Sequence, residues 1–189
     1  MLRDVIPDCV QYAPEFLSPE EANETFSVID DAGEWHRLVD FFDVRKEIPS
    51  TVFLDYDAAT KKFMLSNGGD TAPWSEVLVE IKDRLDILLE ADFRSLLINY
   101  YADGDEYLPM HTDNIVPQGK DPIVAGISLG AVRKFQFASI VGDQILSIDL
   151  EHGSLIVLYE QCQKQWRHGV PPSTVTSGPR INLTFRSMR

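Results

Sequence analysis

Of the four histidines in this 189-residue chain, His36, His111, His152 and His168, one opens a short pattern with chemical meaning: His111-Thr112-Asp113. Residues two apart on an extended strand leave the same face, so both side chains can serve one ion. His168 follows 57 residues later among apolar and turn residues. If the fold delivers that imidazole to the same point, two imidazoles and one carboxylate meet. Such a set suits ferrous iron, because it leaves about three coordination positions open for a chelating ligand and dioxygen. Zinc more often takes four closed ligands, or three and a water.

A second pattern lies near the end of the sequence. In Arg180-Ile181-Asn182-Leu183-Thr184-Phe185-Arg186 the polar residues fall at every second position, with Ile181, Leu183 and Phe185 between them. That is the period of a strand with one apolar face. Its other face carries two guanidinium groups with an amide and a hydroxyl between them. Such a face either looks into solvent as two ordinary surface arginines, or looks inward. An inward arginine is costly unless an anion pairs with it, and a dicarboxylate answers that cost because each guanidinium grips a carboxylate through two hydrogen bonds.

These groups need elements to hold them. Ser18-Pro19-Glu20-Glu21 reads as a helix start, with Ser18 as cap, Pro19 in the first helical position and Glu21 closing a capping box. Ala22, Phe26 and Ile29 follow at helical spacing, and Gly33 suits the exit. A second helix is expected from near Pro73 to near Glu90, with Trp74, Val77, Leu78, Ile81, Leu85, Leu88 and Leu89 on one stripe. Residues 35–70 between them read as hairpins or long loops rich in aromatics. From residue 93 the chain turns to short β-rich runs, 96–101, 123–129, 132–138, 145–150, 154–159 and 181–186. Turn residues such as Asp103-Gly104, Gly142-Asp143 and Gly178-Pro179 separate them, as in a sandwich or barrel.

The content of 44% hydrophobic and 25% charged residues is that of an ordinary globular protein. No apolar run approaches the roughly 18 residues that cross a bilayer. Asp4 and Asp8 interrupt the opening before a signal-peptide core can form, and Cys9 and Cys162 are too few for a disulfide scaffold. The expectation is an intracellular monomer, cytoplasmic or nuclear, with no membrane partner. The net charge is −13, and residues 1–98 carry nine Lys+Arg against 21 Asp+Glu. Binding to nucleic acid through bulk electrostatics is therefore excluded. Local contacts to a phosphate backbone are left to the clusters Arg45-Lys46, Lys61-Lys62 and Arg133-Lys134.

Several segments, in order, resemble the AlkB family of Fe(II)- and 2-oxoglutarate-dependent dioxygenases. They are Asn99-Tyr100-Tyr101-Ala102-Asp103-Gly104, then His111-Thr112-Asp113, then Pro122-Ile123 through Ser128-Leu129-Gly130 with Phe135 and Phe137. His152-Gly153-Ser154-Leu155, Trp166-Arg167-His168 and the strand from Arg180 to Arg186 complete the set. The resemblance covers residues 99–186. It implies a mainly β fold with flanking helices: a double-stranded β-helix, or jelly roll, with two N-terminal supporting helices and a substrate lid. One domain is expected over 1–189, with helices and the nucleotide-recognition lid in 1–92 and the catalytic jelly-roll core in 93–189.

The same resemblance assigns roles. His111, Asp113 and His168 match the catalytic iron ligands. Asn99 and Tyr101 match residues that hydrogen-bond the cosubstrate, and Arg180, Asn182 and Arg186 match those that hold its carboxylates. Arg180 would take the distal carboxylate of 2-oxoglutarate and Arg186 the one beside the keto group. The implied cofactors are Fe(II), 2-oxoglutarate and O2. The implied reaction is oxidative demethylation of an alkylated nucleobase in DNA or RNA, with formaldehyde, succinate and CO2 released. A base in a duplex must be flipped out, or met in a single strand, and stacked between rings. His111 offers one ring, and Phe63 or Tyr56 another, since Leu65 stands where the family places an aromatic. Asn114 and Ile115 follow the iron motif where nucleobase-repair members carry acidic residues, so the same chemistry on a protein or small-molecule substrate stays open, as does a non-catalytic binding module. The remaining histidines read as a lid or surface residue, His36, and part of a tight turn, His152.

Overall fold

The structure is a computed structural model, and it describes residues 1–31, 50–65, 75–113, 121–175 and 178–187. Helix α1, Pro19–Asp31, starts as its sequence dictates. Glu21 N donates to Ser18 Oγ at 3.2 Å, and Ser18 N donates back to Glu21 Oε2 at 2.8 Å, so two otherwise unsatisfied donors are closed reciprocally. Ala22, Thr25 and Ile29 form its buried stripe. Helix α2, Ser75–Leu89, buries Leu78, Ile81 and Leu85. Leu88, expected on that stripe, is 47% exposed, and its neighbour Ile87 is 82% exposed. The stripe is thus narrower than the apolar content of the segment suggests.

Twelve strands among the described residues form two antiparallel sheets. The larger takes strands β1 (Arg3–Ile6), β2 (Val10–Ala13), β3 (Ser50–Asp57), β4 (Lys62–Leu65), β5 (Phe93–Tyr101), β7 (Val124–Gly130), β10 (Ser154–Leu158) and β12 (Arg180–Ser187). Their order is β1-β2-β10-β7-β12-β5-β3-β4. The smaller sheet takes β6 (Leu108–His111), β8 (Arg133–Ser139), β9 (Ile145–Leu150) and β11 (Trp166–Val170) in the order β6-β11-β8-β9. A six-residue helix α3, Glu160–Gln165, leads directly into β11. This is the jelly-roll architecture expected from the sequence, with α1 and α2 supporting it. The N-terminal residues contribute four strands as well as helices, which composition and turn signals did not separate from loops.

Alternation along the large sheet sorts its side chains into two layers. Ile98, Ile127, Leu155, Ile181, Leu183 and Phe185 pack on the face covered by the helices, with Leu78, Ile81 and Leu85 of α2. The opposite face meets the small sheet, and there Tyr101, Val124, Ile156 and Leu158 pack against Phe135, Phe137 and Trp166. The first layer is mainly apolar support, with Thr25 and Lys82 as buried polar exceptions. The second shares its space with polar groups, and the site lies among them.

Candidate metal centre and anion cleft

The small sheet is what brings His111 and His168 together. β6 and β11 pair antiparallel with His168 directly opposite His111, and opposed residues on one face of a ladder have Cβ atoms about 5 Å apart. The two rings sit edge to face with centroids 4.6 Å apart. The ladder slips immediately afterwards, between His168 and Val170, at Gly169. A Cβ there would lie 2.6 Å from the Leu108 carbonyl oxygen and 3.0 Å from that of Pro109, so only glycine admits this approach of the strands.

Asp113 lies two residues beyond the end of β6. One ligand atom from each of His111, Asp113 and His168 lies within 4.8 Å of the others, and among the described residues this is the one such cluster of His, Cys, Asp or Glu. Asp113 Oδ2 is 3.3 Å from His168 Nε2. The His111 ring donates from Nδ1 to the Pro109 carbonyl at 2.8 Å, which in the neutral imidazole leaves Nε2 with its lone pair. His168 is held from the side by Phe135, stacked at 5.5 Å.

The carboxylate of Asp113 is heavily engaged. Arg186 Nη2 donates to Oδ1 at 2.8 Å, and Gln163 Nε2 donates to Oδ2 at 3.1 Å. The backbone N of Asp113 donates to Gln163 Oε1 at 2.8 Å. Burial pushes the Asp113 carboxyl up, but His168 and Arg186 outweigh it and hold the acid well below the usual carboxylate range. Burial and the facing His168 depress His111. Both groups are therefore biased toward the forms that donate electron pairs to a cation.

The cleft continues along β12, which places Arg180, Asn182, Thr184 and Arg186 toward the small sheet. The β5 register sets Tyr101 opposite Arg180 and Asn99 opposite Asn182. Arg180 is 1% exposed. Its Nη2 donates to Ser128 Oγ and to Asn182 Oδ1, both at 2.9 Å, and Asn182 Nδ2 donates on to Thr184 Oγ1 at 2.7 Å. Nε and Nη1 of Arg180 make no hydrogen bond of acceptable geometry, although the guanidinium lies over the Tyr101 ring at 5.0 Å. A buried guanidinium whose Nε and Nη1 are engaged by nothing beyond the neighbouring Tyr101 is suited to receive an anion.

Tyr56 packs with the helix-side core, and Lys82 of α2 lies 4.3 Å over its ring; it is not among the residues lining the cleft. Phe63 is the ladder partner of Tyr56, and Leu65 that of Leu54. Asn114 and His36 lie outside the described residues, as do Arg45 and Lys46. Arg133 is corrected: it is not a phosphate contact but a buried clamp, 1% exposed. It donates to the carbonyls of Asp103, Gly104, Glu106 and Pro171 at 2.8–3.3 Å. Its neighbour Lys134 pairs with Asp149 at 3.0 Å. His152 accepts from Gly130 N at 2.8 Å and ties two turns together. Sequence reading missed Gln163, because one glutamine in Glu160-Gln161-Cys162-Gln163-Lys164-Gln165 carries no spacing signal.

Comparison with known proteins agrees with this geometry. Residues 9–186 match the 2OG-Fe(II) oxygenase superfamily. Over 124 residues the chain is 33% identical to human alpha-ketoglutarate-dependent dioxygenase alkB homolog 3, covering 61% of this chain and 43% of that one. It is 30% identical to the Bos taurus DNA oxidative demethylase ALKBH2 over 61% of this chain and 45% of that one. The chain thus spans a little under half the length of these relatives. Among solved structures, OsALKBH1 superposes with a TM-score of 0.62 at 15% identity, covering 99% of this chain and 100% of that one. A Pseudomonas putida prolyl-4-hydroxylase gives 0.58 at 14%, covering 95% and 92%. At those identities the superpositions speak for the fold alone.

Proposed function

Because the chain belongs to the 2OG-Fe(II) oxygenase superfamily, and within it to the AlkB family, we propose that it is an Fe(II)- and 2-oxoglutarate-dependent dioxygenase that demethylates alkylated nucleobases in DNA or RNA. The observation that carries this reading is the convergence of His111, Asp113 and His168 at one end of a cleft that also holds the unsatisfied guanidinium of Arg180. Two imidazole nitrogens and one carboxylate oxygen fit ferrous iron with positions to spare. A thiolate is no competitor, since burial pushes the Cys162 thiol up to about 12.

In this reading His111, Asp113 and His168 hold the iron, and Asn99, Tyr101, Arg180, Asn182 and Arg186 hold 2-oxoglutarate. When bound, iron and keto acid supply the oxidising chemistry, in which O2 hydroxylates the substrate as 2-oxoglutarate is converted to succinate and CO2. The chain's own part is placement and exclusion. Arg180 binds the far carboxylate with the donors it has left, on a floor levelled by Ser128 and Asn182. Arg186, already on Asp113, takes the near carboxylate and keeps it beside the metal ligands. Val124, Phe135, Ile156 and Leu158 line the cleft and keep bulk water from it. Hydroxylation of an N-methyl carbon gives a hemiaminal whose C–N bond breaks, releasing formaldehyde and the unmodified base.

The test is Fe(II) and 2-oxoglutarate turnover against methylated single-stranded oligonucleotides, with succinate, formaldehyde and base mass measured together. Matched formaldehyde and demethylated base support the proposal, and Asp113→Ala is expected to abolish both. Succinate formed only with methylated peptides or small amines would move the same chemistry to another substrate class. No succinate with any substrate would leave a binding module.

A further inference from the structure

We propose that Gln163 is a positioning residue for the metal site, fixing the orientation in which Asp113 offers its carboxylate; the inference rests on the reading of His111, Asp113 and His168 as a metal centre. Asp113 needs such a holder. Its two neighbours in the cluster sit on paired strands, whereas Asp113 lies beyond the last residue of β6, outside any ladder. A carboxylate on an unpaired segment turns freely about two side-chain bonds unless something outside the segment restrains it.

Gln163 restrains it at two points. Its Oε1 accepts from the Asp113 backbone N at 2.8 Å and its Nε2 donates to Asp113 Oδ2 at 3.1 Å. One contact fixes where the residue is, the other which way the carboxylate faces. A side-chain amide is suited to this task, because it presents an acceptor and a donor from one rigid plane. Gln163 is itself 7% exposed, so the pair exchanges little with water. Arg186 holds the other oxygen, Oδ1, at 2.8 Å. With Arg186 on Oδ1 and Gln163 on Oδ2, the latter oxygen also lying 3.3 Å from His168 Nε2, the carboxylate is disposed to give a metal one bond on the His168 side rather than to chelate it, which preserves open coordination positions. Gln163 lies on α3, which runs without a break into β11 and His168. The tether therefore couples Asp113 to the element carrying a second donor.

Co(II), a redox-stable stand-in for Fe(II), tests this on the metal-free full chain, followed by its visible absorption. Gln163→Met removes both hydrogen bonds at nearly constant volume. It is expected to weaken Co(II) binding by about tenfold to a hundredfold, the range measured when outer-shell partners of metal ligands are lost. It is also expected to change the Co(II) band, with the 2-oxoglutarate requirement at saturating Co(II) unchanged. Gln163→Asn keeps an amide one methylene short, and an intermediate loss is expected. A folded Gln163→Met protein with the wild-type Co(II) affinity and spectrum overturns the proposal, and if that variant does not fold, Gln163→Asn decides by the same criterion. If wild-type protein fails to bind Co(II), or binds it equally well with Asp113→Ala, the metal-site reading falls and this proposal with it. Loss of Co(II) affinity in the Gln163 variants alongside wild-type and Asp113→Ala controls that behave as expected supports both.

Discussion

At the scale of single residues, contacts converge on Asp113, which is gripped by Arg186, Gln163 and the facing His168. Under the proposed function Arg186 would hold both Asp113 and the near carboxylate of 2-oxoglutarate, so its removal should be felt twice. Arg186→Ala is expected to raise the 2-oxoglutarate concentration for half-saturation by roughly 10- to 100-fold, since a hydrogen bond to a charged group contributes about 1.5–3 kcal/mol. It should also weaken Co(II) binding, because Oδ1 loses its donor. Titration of the Co(II)-loaded protein with 2-oxoglutarate checks this, and an unchanged requirement would mean that the near carboxylate is bound elsewhere. His152 offers a test unconnected with the metal. Its ring is an acceptor for Gly130 N, and burial lowers its pKa below the usual 6.5. The unfolded chain therefore binds the proton first, so the stability it contributes is present above about pH 6.5 and is lost as pH falls through the lower folded value. Thermal unfolding between pH 7.5 and 5 should show a flatter dependence for His152→Gln, whose amide oxygen accepts the same bond without titrating; identical slopes would exclude the residue as a source of acid sensitivity.

At the scale of elements, the site depends on how closely β6 and β11 approach at Gly169. Gly169→Ala would set a methyl group against the carbonyl oxygens of Leu108 and Pro109. A cost of about 1–3 kcal/mol in urea unfolding is expected, as for other overpacked sites, with weaker Co(II) binding as the two histidines part. Wild-type stability combined with weakened metal binding would instead mean that the strands yield without strain. The pair also marks what was legible in advance. Helix α1 was announced by its own capping residues, and β12 by strict alternation, because local chemistry decides both. The histidines were legible as residue types, and the family motifs set them in order. β6 and β11 were not, since Leu108–His111 contains Pro109 and Trp166–Val170 contains Gly169, residues with poor strand preference. These short strands exist by pairing with each other and with β8, a long-range fact no local window contains. Tyr56 shows the same dependence on the assembled sheet: alternation says that a strand residue has a face, but only the assembled sheet places that ring on the helix side.

At the scale of the whole molecule, the proposed action on nucleic acid has to be reconciled with a net charge of −13. Among the described residues, no helix is long and apolar enough to cross a membrane, and many cations are already committed within the chain. Arg84 pairs with Glu21, Arg94 with Asp92, Lys134 with Asp149 and Lys164 with Glu160, while Arg133 and Arg180 are buried. Among the described residues many cations are thus already engaged, and under the proposed function the base held at the cleft is expected to contribute more to recognition than counterion release. The expected signature is a shallow salt dependence. If no more than about three phosphates are neutralised, the logarithm of the binding constant for a single strand falls against that of salt concentration with a slope no steeper than about −2. Fluorescence anisotropy with a methylated oligonucleotide between 50 and 300 mM salt measures it, at ionic strengths chosen to span roughly the physiological value. A slope near −5 would show that a basic surface, including Arg45 and Lys46, dominates after all. A shallow slope together with a clear preference for the methylated over the unmethylated strand would place the discrimination in stacking and contacts to the base, which salt screens least.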